Sequence, residues 1–124
     1  MTIEELYEEI GGDYEQAKRV LRMDKLIDKH IRKLTTNGII DSLIAAGDAL
    51  DPTTMFEAAH AVKGYCANLG LTKISGLASE LSEEYRPGNP RKMSDEEVRE
   101  KVEEIRELYR KSAEGVARYE SSLQ

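Results

Sequence analysis

The stretch Asp51-Pro52-Thr53-Thr54-Met55-Phe56-Glu57-Ala58-Ala59-His60-Ala61-Val62-Lys63-Gly64-Tyr65-Cys66-Ala67-Asn68-Leu69-Gly70 reads as one helix with both ends marked. Asp51 supplies an N-cap carboxylate, and Pro52 takes the first helical position, where its missing N–H is no loss. Gly70 is the stop after Leu69. Advance about 100° per residue with His60 at zero, and Met55, Ala58, Val62, Tyr65 and Leu69 fall within about 40° of the opposite side. These five form the expected core stripe. His60 then points away from the core, with Phe56, Glu57, Lys63, Gly64 and Ala67 within about 60° of it on the same face.

Helical periodicity extends outward from this segment over nearly the whole chain, and no stretch alternates as a strand should. Residues 3–10 predict a short helix stopped by Gly11-Gly12. Asp13 is an N-cap, with Gln16 completing a capping box, for a second short helix ending near Leu21. Residues 24–34 carry an apolar stripe of Leu26, Ile27, Ile31 and Leu34, and 39–46 adds a short apolar helix after Asn37-Gly38. Beyond Gly70, residues 71–86 place Ile74, Leu77, Ala78, Leu81 and Tyr85 on one side, and Pro87–Pro90 breaks that helix. Ser94-Asp95-Glu96-Glu97 opens the longest helix with a capping box. Its seam of Val98, Val102, Ile105, Tyr109, Ser112, Val116, Tyr119 and Leu123 is heptad-like. Such a seam suits either a coiled-coil dimer or an intramolecular bundle, and three other amphipathic helices in the chain favour the bundle. The expected fold is all-α, an antiparallel four-helix bundle with additional short N-terminal helices, and residues 1–124 are expected to form a single domain.

Composition narrows the function. A net charge of −6 over 124 residues argues against a nucleic-acid binder, because phosphate contacts need a positive field. The basic run from Arg86 to Lys92 holds two prolines and a glycine, and a solvated loop explains it better than an anion site. No apolar run approaches the roughly 20 residues of a membrane span. One cysteine, Cys66, rules out an intramolecular disulfide and is expected to be a semi-buried filler. The acidic start Met1-Thr2-Ile3-Glu4-Glu5 is unlike a secretory leader. A soluble, cytoplasmic, monomeric protein that touches neither nucleic acid nor membrane is the expectation. His30 is expected to pack at the bundle edge. No paired-histidine, Cys-x-x-Cys or paired-carboxylate pattern offers a metal site.

His60 needs another explanation. Gly64 sits in a helix interior, where glycine costs about 0.5–1 kcal/mol relative to alanine. Gly64 and Ala67 keep the surface beside the imidazole low, Lys63 brings an ammonium, and Phe56 puts an aromatic ring where solvent is expected. A nucleophile, a cation, clearance and an apolar patch share one face.

The same residues resemble a known family. Ala59-His60-Ala61-Val62-Lys63-Gly64, continuing to Asn68-Leu69-Gly70-Leu71, is similar to the motif of histidine phosphotransfer (HPt) domains. Leu6-Tyr7-Glu8-Glu9-Ile10-Gly11-Gly12-Asp13 and Leu77-Ala78-Ser79-Glu80-Leu81 resemble the flanking text of those domains. The resemblance implies that His60 accepts a phosphoryl group from a receiver-domain aspartate and passes it to another receiver. It implies that Lys63 steadies the added charge and that Gly64 admits the partner. Phe56, Glu57, Ala67 and Asn68 are the expected docking residues, Phe56 being joined by apolar residues of the 39–46 helix. The implied partners are response-regulator receiver domains and a hybrid sensor histidine kinase, with Mg²⁺ held by the receiver and no cofactor here. An ordinary imidazole, with a pKa of about 6.5, is mostly neutral and nucleophilic in the cytosol. Nothing resembles a nucleotide-binding glycine loop, so autonomous kinase activity is not expected. Two alternatives stand beside this reading: a helical adaptor or inhibitor docking through the same face without phosphoryl chemistry, and the phosphoacceptor domain of a chemotaxis-type kinase.

Overall fold

Three short helices, α1 (Ile3–Ile10), α2 (Tyr14–Leu21) and α3 (Asp24–Ile31), lead into four longer ones in the computed structural model, which describes residues 1–124. The longer helices are α4 (Ile39–Ala49), α5 (Pro52–Asn68), α6 (Thr72–Tyr85) and α7 (Asp95–Ser122). Contacts join α4 to α5, α5 to α6, α6 to α7 and α7 back to α4, which closes a four-helix bundle. The short helices pack on it through α1 against α7 and α2 against α5. The architecture is the expected one.

Local signals set most of the boundaries. Asp51 accepts from the Thr54 N–H at 3.0 Å, and Ser94 and Glu97 form the reciprocal capping box. Asp13 caps α2 through the Gln16 N–H, but the return half of that box is absent because the Gln16 side chain accepts from Arg19 instead. The third helix ends at Ile31 rather than Leu34, its chain continuing as turns through 36. The fourth runs on to Ala49, three residues past the expected end, and closes on Leu50 in a left-handed conformation (φ 56°).

The interior is aliphatic: Leu6, Ile27, Ile31, Leu34, Ile40, Leu43, Met55, Val62, Leu81 and Ile105 are fully buried. Each such side chain contributes about 1.5–3 kcal/mol through apolar burial. The seam of α7 is buried within the chain from Val98 to Tyr119 except at the half-buried Tyr109, while Leu123 is exposed. Ser112 is tolerated there because its hydroxyl donates to Leu108 O at 2.8 Å. The closest approaches use glycine. A Cβ on Gly47 would meet Val102, and one on Gly115 would strike Ile10.

One junction ties the N-terminal helices to α5. Tyr7 Oη donates to Leu69 O at 2.6 Å, and the Asp13 N–H donates to Gly70 O at 2.7 Å. Gly70 has φ 70°, and a Cβ there would run into the carbonyl of Asp13. The glycine is therefore both helix stop and packing surface.

The 86–93 loop is held from inside. Glu84 is buried, and its carboxylate accepts from Arg91 Nε at 2.7 Å and from the N–H groups of Lys92 and Met93 at 2.9 Å each. Burial alone would raise the pKa of Glu84. The hydrogen bonds from Met93, Arg91 and Lys92 outweigh it and hold the carboxyl below its ordinary range. A carboxyl with a depressed folded-state pKa stabilises the fold above its unfolded value and loses that contribution as pH falls. The melting temperature should therefore drop as pH falls below about 4.5. Glu84→Gln should cost about 1–3 kcal/mol near neutrality and flatten that acid limb, which thermal melts between pH 3 and 7 would test. An unchanged acid limb would remove Glu84 as its cause.

Candidate functional site

The face that α5 presents follows from which of its residues are buried. Met55, Ala59, Val62, Cys66 and Leu69 are interior, whereas Ala58 and Tyr65 are only partly covered. The core stripe is thus rotated by about 40° from the expected one, toward Ala59 and Cys66. Two contacts account for the rotation. Tyr65 stands at the bundle edge so that its hydroxyl can donate to His30 O at 2.9 Å. On the opposite flank, Ser75 Oγ of α6 donates to Lys63 O at 3.1 Å. Cys66 is fully interior rather than semi-buried, and burial pushes its thiol up to about 12, which leaves no thiolate for redox chemistry.

His60 is exposed, together with Glu57, Gly64 and Asn68. Ala67 and Lys63 are half-buried on the same face. A Cβ placed on Gly64 would meet nothing within 4 Å, so the glycine is required by no contact inside this chain. Its helical cost has no structural return within the fold. The space above it is open to a second molecule.

Phe56 departs from expectation. It is half-buried at the edge of the core and stacks on His60, with ring centroids 5.7 Å apart and planes 23° from parallel. The side chain that reaches its ring is Arg86, at the end of α6, with the guanidinium carbon 5.6 Å from the centroid. Arg86 is thus a neighbour of Phe56 beside the core against which the ring packs. The same rotation that buried Ala59 and Cys66 drew Phe56 and Lys63 toward α6.

That flank brings in Glu83, which the sequence did not single out, and Arg86, which was expected in a solvated basic loop and is instead held at the end of α6. Arg86 donates through Nε and an Nη to Glu83 Oε1 at 3.0 and 2.8 Å. Hydrogen bonding from Arg86, with the field of Lys63 added, holds the Glu83 carboxyl below its ordinary range. Counting outward from the Gly70 turn places Phe56 opposite the end of α6, a signal that could have linked Arg86 to the His60 face. A cavity of about 490 Å³ lies between α6 and the 86–93 loop, is lined by Glu83, Glu84 and Lys92 among others, and includes neither His60 nor Lys63. His30 is half-buried at the edge of α3, as expected. No three His, Cys, Asp or Glu side chains converge where a metal would sit, and no helix is long and apolar enough to cross a membrane.

No curated protein and no solved structure matches the chain. The family model of the Hpt domain matches residues 3–111, which takes in α1 through α6, the exposed His60 and most of α7. With seven helices, a bundle of four and that match, the chain belongs to the Hpt family, whose domains serve histidine phosphotransfer in two-component systems through receiver domains and kinases.

Proposed function

We propose that residues 1–124 act as one histidine phosphotransfer domain that shuttles a phosphoryl group between receiver aspartates through His60. The neutral imidazole attacks the phosphorus of a receiver's aspartyl phosphate. An N–P bond forms, the P–O bond to the aspartate breaks, and the aspartate leaves as a free carboxylate while the ring keeps the proton on its other nitrogen. The receiver brings its own Mg²⁺. Lys63 offsets the charge arriving on His60, and Gly64 gives the receiver clearance. Glu57, Ala67 and Asn68 form the surrounding contact surface, with Phe56 as its aromatic edge. The partners are response-regulator receivers and a hybrid sensor kinase, met by a cytoplasmic monomer.

The observation that carries this reading is the open space above Gly64 beside an exposed histidine. It is tested by incubating the protein with a phosphorylated receiver. The chain should acquire an acid-labile, base-stable phosphate, and absence of label with several receivers would overturn the reading. Gly64→Gln separates access from stability. The variant should gain about 0.5–1 kcal/mol of stability, because glycine is a poor helix former. It should lose transfer by about tenfold or more, since a side chain in the centre of a docking surface costs at least about 1.4 kcal/mol. Transfer at the normal rate would refute the role given to Gly64.

A further inference from the structure

On the flank of His60, four charged or aromatic groups are already arranged in sequence. His60 stacks on Phe56, and Arg86 lies against the same Phe56 ring. Arg86 is held by Glu83 through two hydrogen bonds to one oxygen. Glu83 also receives a longer contact, 3.5 Å, from Asn89. Lys63 is half-buried toward α6, in none of the chain's ion pairs, and near enough to Glu83 to act on its carboxylate. One carboxylate therefore holds Arg86 and lies within the field of Lys63. Surface pairs of this kind contribute little to stability, about 0–1 kcal/mol, and Glu83 and Arg86 are exposed enough to be in that class. Stability does not account for the arrangement.

We infer that Glu83 is a positioning residue that sets the phosphoryl-transfer equilibrium of His60 by competing with the phosphoryl group for Arg86 and Lys63. The inference rests on His60 being the acceptor. Before transfer, Glu83 holds Arg86 against Phe56 and offsets Lys63. Once the N–P bond has formed and the aspartate carboxylate has left, about two negative charges stand on the histidine. Arg86 and Lys63 then have two competing anions. Glu83 repels the phosphoryl group and retains part of the cationic field, so it keeps phosphohistidine high in energy and ready to give the group up. A carrier needs that poise, because a group held too firmly on His60 would not pass to the next aspartate.

Two charges acting on one, in a surface dielectric and with salt screening, make Glu83 worth about a three- to tenfold factor. The experiment measures the equilibrium distribution of radiolabelled phosphate between the full-length chain and a receiver, at low and high salt. Glu83→Gln keeps size and an oxygen acceptor, and should move the equilibrium about three- to tenfold toward the phosphorylated chain. Arg86→Gln should move it the other way, Glu83→Asp should stay near the starting value, and 1 M salt should shrink every difference. An equilibrium unchanged in both Glu83→Gln and Arg86→Gln, or shifted in the same direction in both, would overturn the inference while leaving the His60 assignment intact. Failure of the unsubstituted chain to take label would instead overturn the assignment, and the inference with it.

Discussion

His60→Gln is expected to abolish acceptance of phosphate from a receiver while the protein stays folded and still binds that receiver. Glutamine is polar and of similar reach, but its amide nitrogen carries no lone pair available for attack on phosphorus. The side chain at 60 is exposed and contributes nothing to the core stripe of Met55, Ala59, Val62, Cys66 and Leu69. Its ring stacks on Phe56. A surface substitution of this kind changes stability by about 0.5 kcal/mol or less. Label transfer, circular dichroism and receiver titration on the same preparation make the comparison. Undiminished label in the variant would move the acceptor elsewhere, and His30 is the other histidine in the chain. Lost label together with lost binding would point to a docking histidine rather than a nucleophile.

The largest effect on stability should come from Gly70→Ala. Alanine at a left-handed φ of 70° costs about 1–2 kcal/mol from its Cβ alone. The Cβ would also run into the Asp13 carbonyl, and relief requires parting the Asp13 N–H from Gly70 O or moving Tyr7 off Leu69 O. Overpacking against backbone adds about 1–3 kcal/mol. The sum of about 2–5 kcal/mol is a large share of the roughly 5–15 kcal/mol that holds a domain together. Urea or thermal unfolding measures it. The folded fraction should still take label, because the His60 face is built without Gly70. A loss below about 1 kcal/mol would show that the junction yields easily and that Gly70 is only a helix stop. Gly64 and Gly70 thus make opposite predictions: substitution at one strengthens the fold and slows transfer, and substitution at the other weakens the fold and spares the chemistry.

The contrast between those glycines marks the boundary between what local sequence dictates and what packing adds. Caps at Thr2, Asp13, Asp51 and Ser94 and the stop at Gly11 are local, since each uses side chain and backbone within a few residues. Helical periodicity then places His60 opposite an apolar stripe, and Gly64 beside it, before any partner helix is known. The fold class, the exposed histidine and the clearance above it were legible in the sequence for that reason.

Rotation of α5 was not. The exact arc of a helix that is buried depends on the neighbours, and here Ser75 on Lys63 O and Tyr65 on His30 O turned the stripe toward Ala59 and Cys66. That turn half-buried Phe56 and Lys63 and set them against α6. The end of α6 then supplied Glu83 and, just past the helix, Arg86, residues separated from His60 by more than twenty positions. Gly70 shows the same limit. Its role as helix stop is written in the three residues around it, but the Asp13 carbonyl that forbids a side chain comes from a distant part of the sequence. Periodicity along one chain fixes which side of a helix faces inward. Only the meeting of two helices decides which charges stand beside the histidine.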